Sequence, residues 1–137
     1  MKVLLDTNII IDCLVKREPY FPHSQEVLSV CLNGRATTYM ATHTVADIYY
    51  IARKHKPDLQ HNLLVKAIVM FTKMLNTVNL TAADVEAASL LRFSDFEDAL
   101  MSQCAVKIKA DYIITRNIKD FVNSTVEAMS PDAFLRT

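Results

Sequence analysis

The chain is poor in glycine and has no excess of charge of either sign: Gly34 is its single glycine, and 15 basic residues balance 15 acidic residues. One glycine cannot form the glycine-rich loops with which P-loop and dinucleotide-binding proteins hold phosphates, so both classes are excluded. Zero net charge leaves no overall positive field that would attract nucleic acid. A nucleic-acid partner therefore requires a local basic patch, or metal ions that offset an acidic site.

Cysteines and long apolar runs are also scarce. The three cysteines, Cys13, Cys31 and Cys104, lie far apart and show none of the paired spacings of a zinc site. This favours free buried thiols in a reducing compartment. No apolar run is long enough to span a membrane, and the N-terminus lacks the layout of a signal peptide. The sequence therefore predicts a cytoplasmic protein with no membrane partner.

The composition is that of an ordinary globular protein, with 51% hydrophobic and 22% charged residues in 137. This length is typical of one domain, residues 1–137. Short apolar runs alternate with stretches of three-to-four spacing, which predicts an α/β fold with helices on both faces of a mostly parallel sheet of four to five strands. The expected strands are Lys2–Leu5, Ala36–Ala41, Thr77–Leu80, Asp111–Thr115 and Val126–Met129. The expected helices are Thr7–Val15, Ser24–Asn33, Thr44–His55, Leu59–Leu75, Thr81–Leu91, Asp95–Ile108 and a last turn from Ser130.

Several chain positions predict helix ends. Thr81-x-x-Asp84 and Ser94-x-x-Glu97 have the spacing of a capping box, in which the two side chains satisfy the free N–H groups of the first turn. Gly34 is the expected C-cap of the second helix.

Polar residues stand where the predicted strands end and the following helices begin. Asp6 ends the first strand, Asp47 and Asp98 lie in first turns of helices, and Asn117 and Asp120 follow the fourth strand. Parallel strands bring such positions to one edge of the sheet. Clustered carboxylates repel one another unless a cation lies between them, and oxygen ligands suit Mg²⁺ or Mn²⁺. The pattern favours metal-assisted phosphodiester hydrolysis, which needs no Ser, Cys or His nucleophile.

The same motifs, in their order, resemble the PIN domain, the nuclease fold of VapC-type toxins. The matching segments are Asp6-Thr7-Asn8 after a strand, then Asp98-Ala99-Leu100, then Ala110 through Phe121 with its Thr115-Arg116-Asn117 core. The resemblance covers nearly the whole chain. It implies a three-layer α/β/α sandwich and an Mg²⁺- or Mn²⁺-dependent endoribonuclease acting on single-stranded RNA. It also implies a homodimer and a small antitoxin protein as partner.

The resemblance assigns site roles to individual residues. Asp6 and Asp98 correspond to the core metal ligands, and Asp47 to a middle acid that is usually glutamate and also ligates or positions the metal. Asn117 corresponds to a fourth catalytic polar position, with Asp120 close by. Asp47 is one methylene shorter than the usual residue, and Asn117 carries no charge. A catalytically degraded module that binds RNA or a partner protein therefore remains an alternative reading, as does a phosphatase-like hydrolase with a nucleophilic Asp6.

Other residues beside these motifs have both a functional and a structural interpretation. Thr7, Asn8 and Thr115 are candidate donors to the metal ligands, or turn residues. Asp95 is a further candidate carboxylate, or a partner of the helix dipole.

The acids and the basic residues of the site have structural alternatives too. Asp6 and Asp47 both suit helix N-termini without any metal. Arg116 and Lys119 are candidate phosphate contacts for RNA, or residues of a solvated loop.

Overall fold

The computed structural model describes residues 1–137 and contains a five-stranded sheet in which every neighbouring pair of strands is parallel. The spatial order is β3-β2-β1-β4-β5, so the first strand is central. This confirms the predicted α/β fold and its parallel sheet. The strands are β1 (Lys2–Leu5), β2 (Thr37–Ala41), β3 (Asn76–Val78), β4 (Tyr112–Ile114) and β5 (Glu127–Met129).

Helices connect successive strands and cover both faces of the sheet. None of them has the length and apolar content that a membrane crossing requires. A short π-helical turn (Cys31–Arg35) and two 3₁₀ turns (Thr42–Thr44 and Ile118–Phe121) complete the connections. The α-helices are α1 (Thr7–Val15), α2 (Phe21–Val30), α3 (Val45–His55), α4 (His61–Met74), α5 (Ala82–Ser89), α6 (Phe96–Lys107) and α7 (Pro131–Leu135).

The Thr81–Asp84 capping box that the sequence predicts is present at the start of α5. Gly34 was predicted to be the C-cap of the second helix, but α2 ends at Val30 with Cys31 as its C-cap. Gly34 lies inside the π-helical turn that follows, with a φ of 95° that residues with a side chain rarely accept. The second helix begins at Phe21 rather than at Ser24, because the preceding proline-containing turn already leads into it.

The start of α6 differs by one residue from the predicted capping box. Asp95, not Ser94, is the N-cap: its carboxylate accepts hydrogen bonds from the backbone N–H of Glu97 at 2.8 Å and of Asp98 at 3.4 Å. A carboxylate is as good a cap as a serine hydroxyl and also favours the positive end of the helix dipole. The Glu97 side chain is therefore not engaged in a capping box.

The apolar core is divided by the sheet into two clusters. Val3 and Leu5 of β1 face the larger cluster, and Leu4 between them faces the smaller one. Alternate residues of a strand point to opposite faces, so an uninterrupted apolar strand with helices on both sides must be central. The larger cluster contains residues of α1, α2, α3, α4 and α7, and the smaller one contains residues of α6. The result is the three-layer arrangement that fixes the carboxyl edge of β1.

Candidate active site

A cavity of about 260 Å³ lies at the carboxyl edge of the central strands, and acidic side chains dominate its lining. We call it the acidic cavity. It brings together predicted residues from three separate segments of the chain, and it adds Ile51 and Glu97, which the sequence did not single out. Its lining consists of Asp6, Thr7, Asn8, Ile51, Asp95, Glu97, Asp98, Asn117 and Asp120.

Asp6 is positioned by the end of β1. Its backbone N–H donates to the carbonyl of Ile114 at 2.9 Å, and its side chain is only 7% exposed. One carboxylate oxygen accepts from the N–H of Thr7 at 2.8 Å, which caps α1, and the other from the Thr115 hydroxyl at 2.7 Å. Burial raises the pKa of Asp6 although both hydrogen bonds and the charge of Arg116 act to lower it. No basic side chain forms an ion pair with Asp6.

Two threonines flank this carboxylate. Thr115 is fully buried, and its Oγ1 also accepts from the backbone N–H of Asn117 at 3.0 Å, so it connects Asp6 to the segment that follows β4. Thr7 is 6% exposed, and its Oγ1 is buried without any hydrogen-bond partner.

The first turn of α6 contributes most of the remaining negative charge. Burial, followed by the charges of Asp95, Asp6 and Asp120, raises the pKa of Asp98 to about 6. Burial, followed by the neighbouring carboxyl groups, raises the pKa of Glu97 to about 7. Raised pKa values of this kind are typical of carboxylates that are crowded together without a compensating cation.

Asp47 lies in the first turn of α3, is exposed, and does not line the acidic cavity. After burial, the charge of Asp47 is the largest cause that raises the pKa of Glu97. The sequence missed Glu97 because the Ser94-x-x-Glu97 spacing gave it a capping role. The signal that would have revealed it is the acid next to it, Asp98, in a first turn already capped by Asp95.

The predicted RNA-contacting residues have different surroundings. Lys119 is exposed in the 3₁₀ turn after β4. Arg116 donates to Asp12 from Nε at 2.9 Å and from Nη2 at 3.2 Å, and its guanidinium lies 3.6 Å from the centre of the Tyr20 ring. Asp12, fully buried on α1, also accepts from Arg17 at 2.8 Å.

This ion-pair cluster behind the acidic cavity was not predicted from the sequence. Arg17 also donates to the Asn8 side chain at 3.0 Å, so the cluster is connected to the cavity lining. The charge of Asp12 among the apolar residues of α1 was the one indication of this cluster in the sequence. Its partner Arg116 lies 104 positions away, so the pair could not be identified from local pattern.

The donor set of the acidic cavity has the chemistry that a hard divalent cation prefers, namely carboxylate, amide and hydroxyl oxygens with no sulfur or imidazole. As the side chains stand, no three His, Cys, Asp or Glu residues are arranged to hold a metal ion. The residue types thus fit Mg²⁺ or Mn²⁺, and closer approach of the carboxylates depends on a positive charge between them.

An all-parallel α/β sheet with an acidic, oxygen-lined cavity at its carboxyl edge defines the class of protein. Within that class, a sequence model of the PIN domain matches residues 2–119, and the chain belongs to the PIN domain family. No curated protein matches the sequence.

Solved structures with the same fold have low sequence identity. VapBC2 from Rickettsia felis, bound to a DNA fragment from its promoter, has a TM-score of 0.72 and 19% identity over 95% of this chain and 98% of that chain. FitAB bound to an IR36 DNA fragment has a TM-score of 0.70 and 17% identity over 94% of both chains. VapC20 from Mycobacterium tuberculosis, a Sarcin-Ricin loop cleaving toxin, has a TM-score of 0.65 and 13% identity over 81% of this chain and 86% of that chain. At these identities the likeness establishes the fold.

Proposed function

We propose that the protein is a divalent-metal-dependent endoribonuclease that hydrolyses phosphodiester bonds of single-stranded RNA, and that it is the toxin of a toxin–antitoxin pair. The observation that carries this proposal is Asp6, a buried carboxylate without an ion-pair partner that shares the acidic cavity with Asp98. Membership of the PIN domain family supports a nuclease. The similar VapBC2 and VapC20 structures support a toxin role and RNA cleavage.

In this proposal each residue near the cavity has a distinct task. Asp6 and Asp98 would hold Mg²⁺ or Mn²⁺ directly, and the Asn117 amide or the Asp120 carboxylate would orient the attacking water. A bound divalent cation supplies the Lewis acidity that activates water and offsets charge on the scissile phosphate. Thr115 and the Thr7 N–H fix the direction of the Asp6 oxygens through the hydrogen bonds described above.

A protein partner is supported by an apolar groove between α3 and α4. The groove has a volume of about 410 Å³, and Tyr50, which lines it, is 71% exposed. Further apolar side chains on α4, such as Leu63 and Met70, are more than half exposed. A surface of this kind is typical of a protein interface. We propose that it serves a small antitoxin or a second copy of the chain in a homodimer.

The three cysteines are free and two of them are buried. This supports a reducing, cytoplasmic location for the protein.

The test is metal-dependent RNA cleavage by the whole chain and by Asp98→Asn. With Mg²⁺ or Mn²⁺, we expect the unchanged protein to cut a labelled single-stranded RNA and Asp98→Asn to lose cleavage while its thermal unfolding stays cooperative. Asp58→Asn, an exposed acid distant in sequence from every motif, is the matched control and should retain full activity. Cleavage by Asp98→Asn at the unchanged rate would overturn the assignment.

A second candidate function is a non-catalytic module that binds RNA or a partner protein. It is favoured by the neutral Asn117 and by the position of Asp47 outside the acidic cavity. Calorimetric titration with Mn²⁺ separates the two, because a degraded site has no measurable affinity for the ion.

A further inference from the structure

The acidic cavity contains a carboxylate to which the family resemblance gives no role. Glu97 lines the cavity with Asp6 and Asp98, whereas Asp47 does not line it. These three carboxylate residues therefore line one space. Glu97 therefore lies where a third oxygen ligand is needed.

Asp47 does not belong to this set of carboxylates. It is exposed in the first turn of α3 and is not part of the lining of the acidic cavity.

An independent feature of the same cavity indicates a missing ligand. The Oγ1 of Thr7 is buried and has no hydrogen-bond partner, although Thr7 is part of the lining. A buried hydroxyl left without a partner is unfavourable, so such groups are uncommon unless something binds there. A hydrated divalent cation brings coordinated water, which hydroxyl groups readily hydrogen-bond.

We propose that Glu97 supplies the third carboxylate to the divalent cation, beside Asp6 and Asp98. This inference rests on the proposed function. The shorter acid of α3, Asp47, stays outside the acidic cavity, whereas the longer acid of α6, Glu97, lines it.

Calorimetric titration of the whole chain with MnCl₂ tests this proposal. Glu97→Gln keeps the size of the side chain and removes its charge, and we expect it to weaken Mn²⁺ binding by at least about 10-fold. Glu86→Gln is the matched control, because it makes the same change at an exposed glutamate of α5 that does not line the acidic cavity. We expect the Mn²⁺ affinity of this control to stay within about threefold of the wild type, since an exposed charge outside the site is screened by solvent.

The outcomes distinguish the inference from the proposed function. Unchanged Mn²⁺ affinity in Glu97→Gln, or equal losses in Glu97→Gln and Glu86→Gln, overturns the role of Glu97 and leaves a metal-dependent nuclease standing. A wild-type protein that binds no Mn²⁺ overturns the proposed function itself. Circular dichroism melting of each variant verifies that the fold is retained, as expected for the exposed Glu97 side chain.

Discussion

Asp6 and Asp12 are both buried carboxylates, six positions apart, but only Asp12 forms ion pairs. Asp12 is fully buried and receives two arginines and a serine: Arg17, Arg116 and Ser24 all donate to it. Asp6 accepts only from a backbone N–H and a threonine hydroxyl, and it forms no ion pair. The chain thus supplies positive counter-charges to Asp12 and none to Asp6.

The difference shows that burial of an acid does not by itself indicate function. A buried ion pair needs several hydrogen bonds to offset desolvation, and Asp12 has them. Asp6 has neutral donors only, it lines the acidic cavity, and burial raises its pKa. A buried carboxylate that has no counter-charge and shares a cavity with other acids indicates a functional site. The number of acidic residues alone is a weaker indication.

The largest expected effect on stability comes from removing the charge that the fold does compensate. Asp12→Asn leaves two half-buried arginines without an anion, so we expect the free energy of unfolding to fall by about 3 kcal/mol, measured by urea denaturation. Asp132→Asn is the control, because it breaks the exposed pair with Arg136 and should change stability by less than about 1 kcal/mol. Similar losses of unfolding free energy in both variants would contradict the contrast drawn between Asp12 and Asp6.

The matching change at the uncompensated carboxylate should affect activity instead of stability. We expect Asp6→Asn to reduce RNA cleavage by about 100-fold or more, the scale of losing one preorganised charge-stabilising group. Its unfolding free energy in EDTA should stay within about 1 kcal/mol of the wild type, because relief from desolvation offsets one altered hydrogen bond. A metal-free protein that is destabilised as strongly as Asp12→Asn would show that Asp6 is a structural residue.

The pH dependence of stability sharpens the contrast between the two kinds of acid. The pKa of Asp98 is raised to about 6 and that of Glu97 to about 7, so the folded state binds protons that the unfolded state has already released. Stability of the metal-free protein should therefore fall as pH rises from about 4 to 7. We expect the Tm to drop by a few degrees, roughly 2–5 °C, and Mn²⁺ to restore it at pH 8.

Two outcomes would contradict this expectation. One is a metal-free Tm that rises over the same pH range. The other is an unchanged slope in the double variant Glu97→Gln, Asp98→Asn. Asp84 does not confuse the measurement, because the ion pair with Lys107 holds the pKa of its carboxyl below the ordinary value, so its effect falls at lower pH.

The strands and the main site positions were accessible from the sequence because they depend on local pattern. The apolar run of β1 followed by Asp6 and a helix from Thr7 to Val15 was predicted with the observed bounds. The edge that Asp6, Asp98 and Asn117 share follows from parallel strands alone.

What remained hidden depends on pairing at long range or on a shift of one residue. Asp12 and Arg116 are 104 positions apart, and no local pattern links them. The choice of Asp95 over Ser94 as N-cap is a competition between two good capping residues. That choice left the Glu97 side chain available for the cavity, so a one-residue error concealed a site carboxylate.

The smallest expected effect concerns the aromatic ring that holds the arginine shared by the two regions. The guanidinium of Arg116 lies 3.6 Å from the centre of the Tyr20 ring, and Tyr20 is 41% exposed, so the cation–π contact is worth about 0.5–1 kcal/mol. We expect Tyr20→Ala to lower the unfolding free energy by that amount and Tyr20→Phe, which keeps the π-face, to leave it unchanged. The charge of Arg116 also acts to lower the pKa of Asp6, so a looser Arg116 should weaken the ion pair of Asp12 and leave the pKa of Asp6 further raised. Equal losses of unfolding free energy in the two Tyr20 variants would assign the effect to the phenol hydroxyl. The Tyr20 ring would then not connect the Asp12 cluster to the acidic cavity.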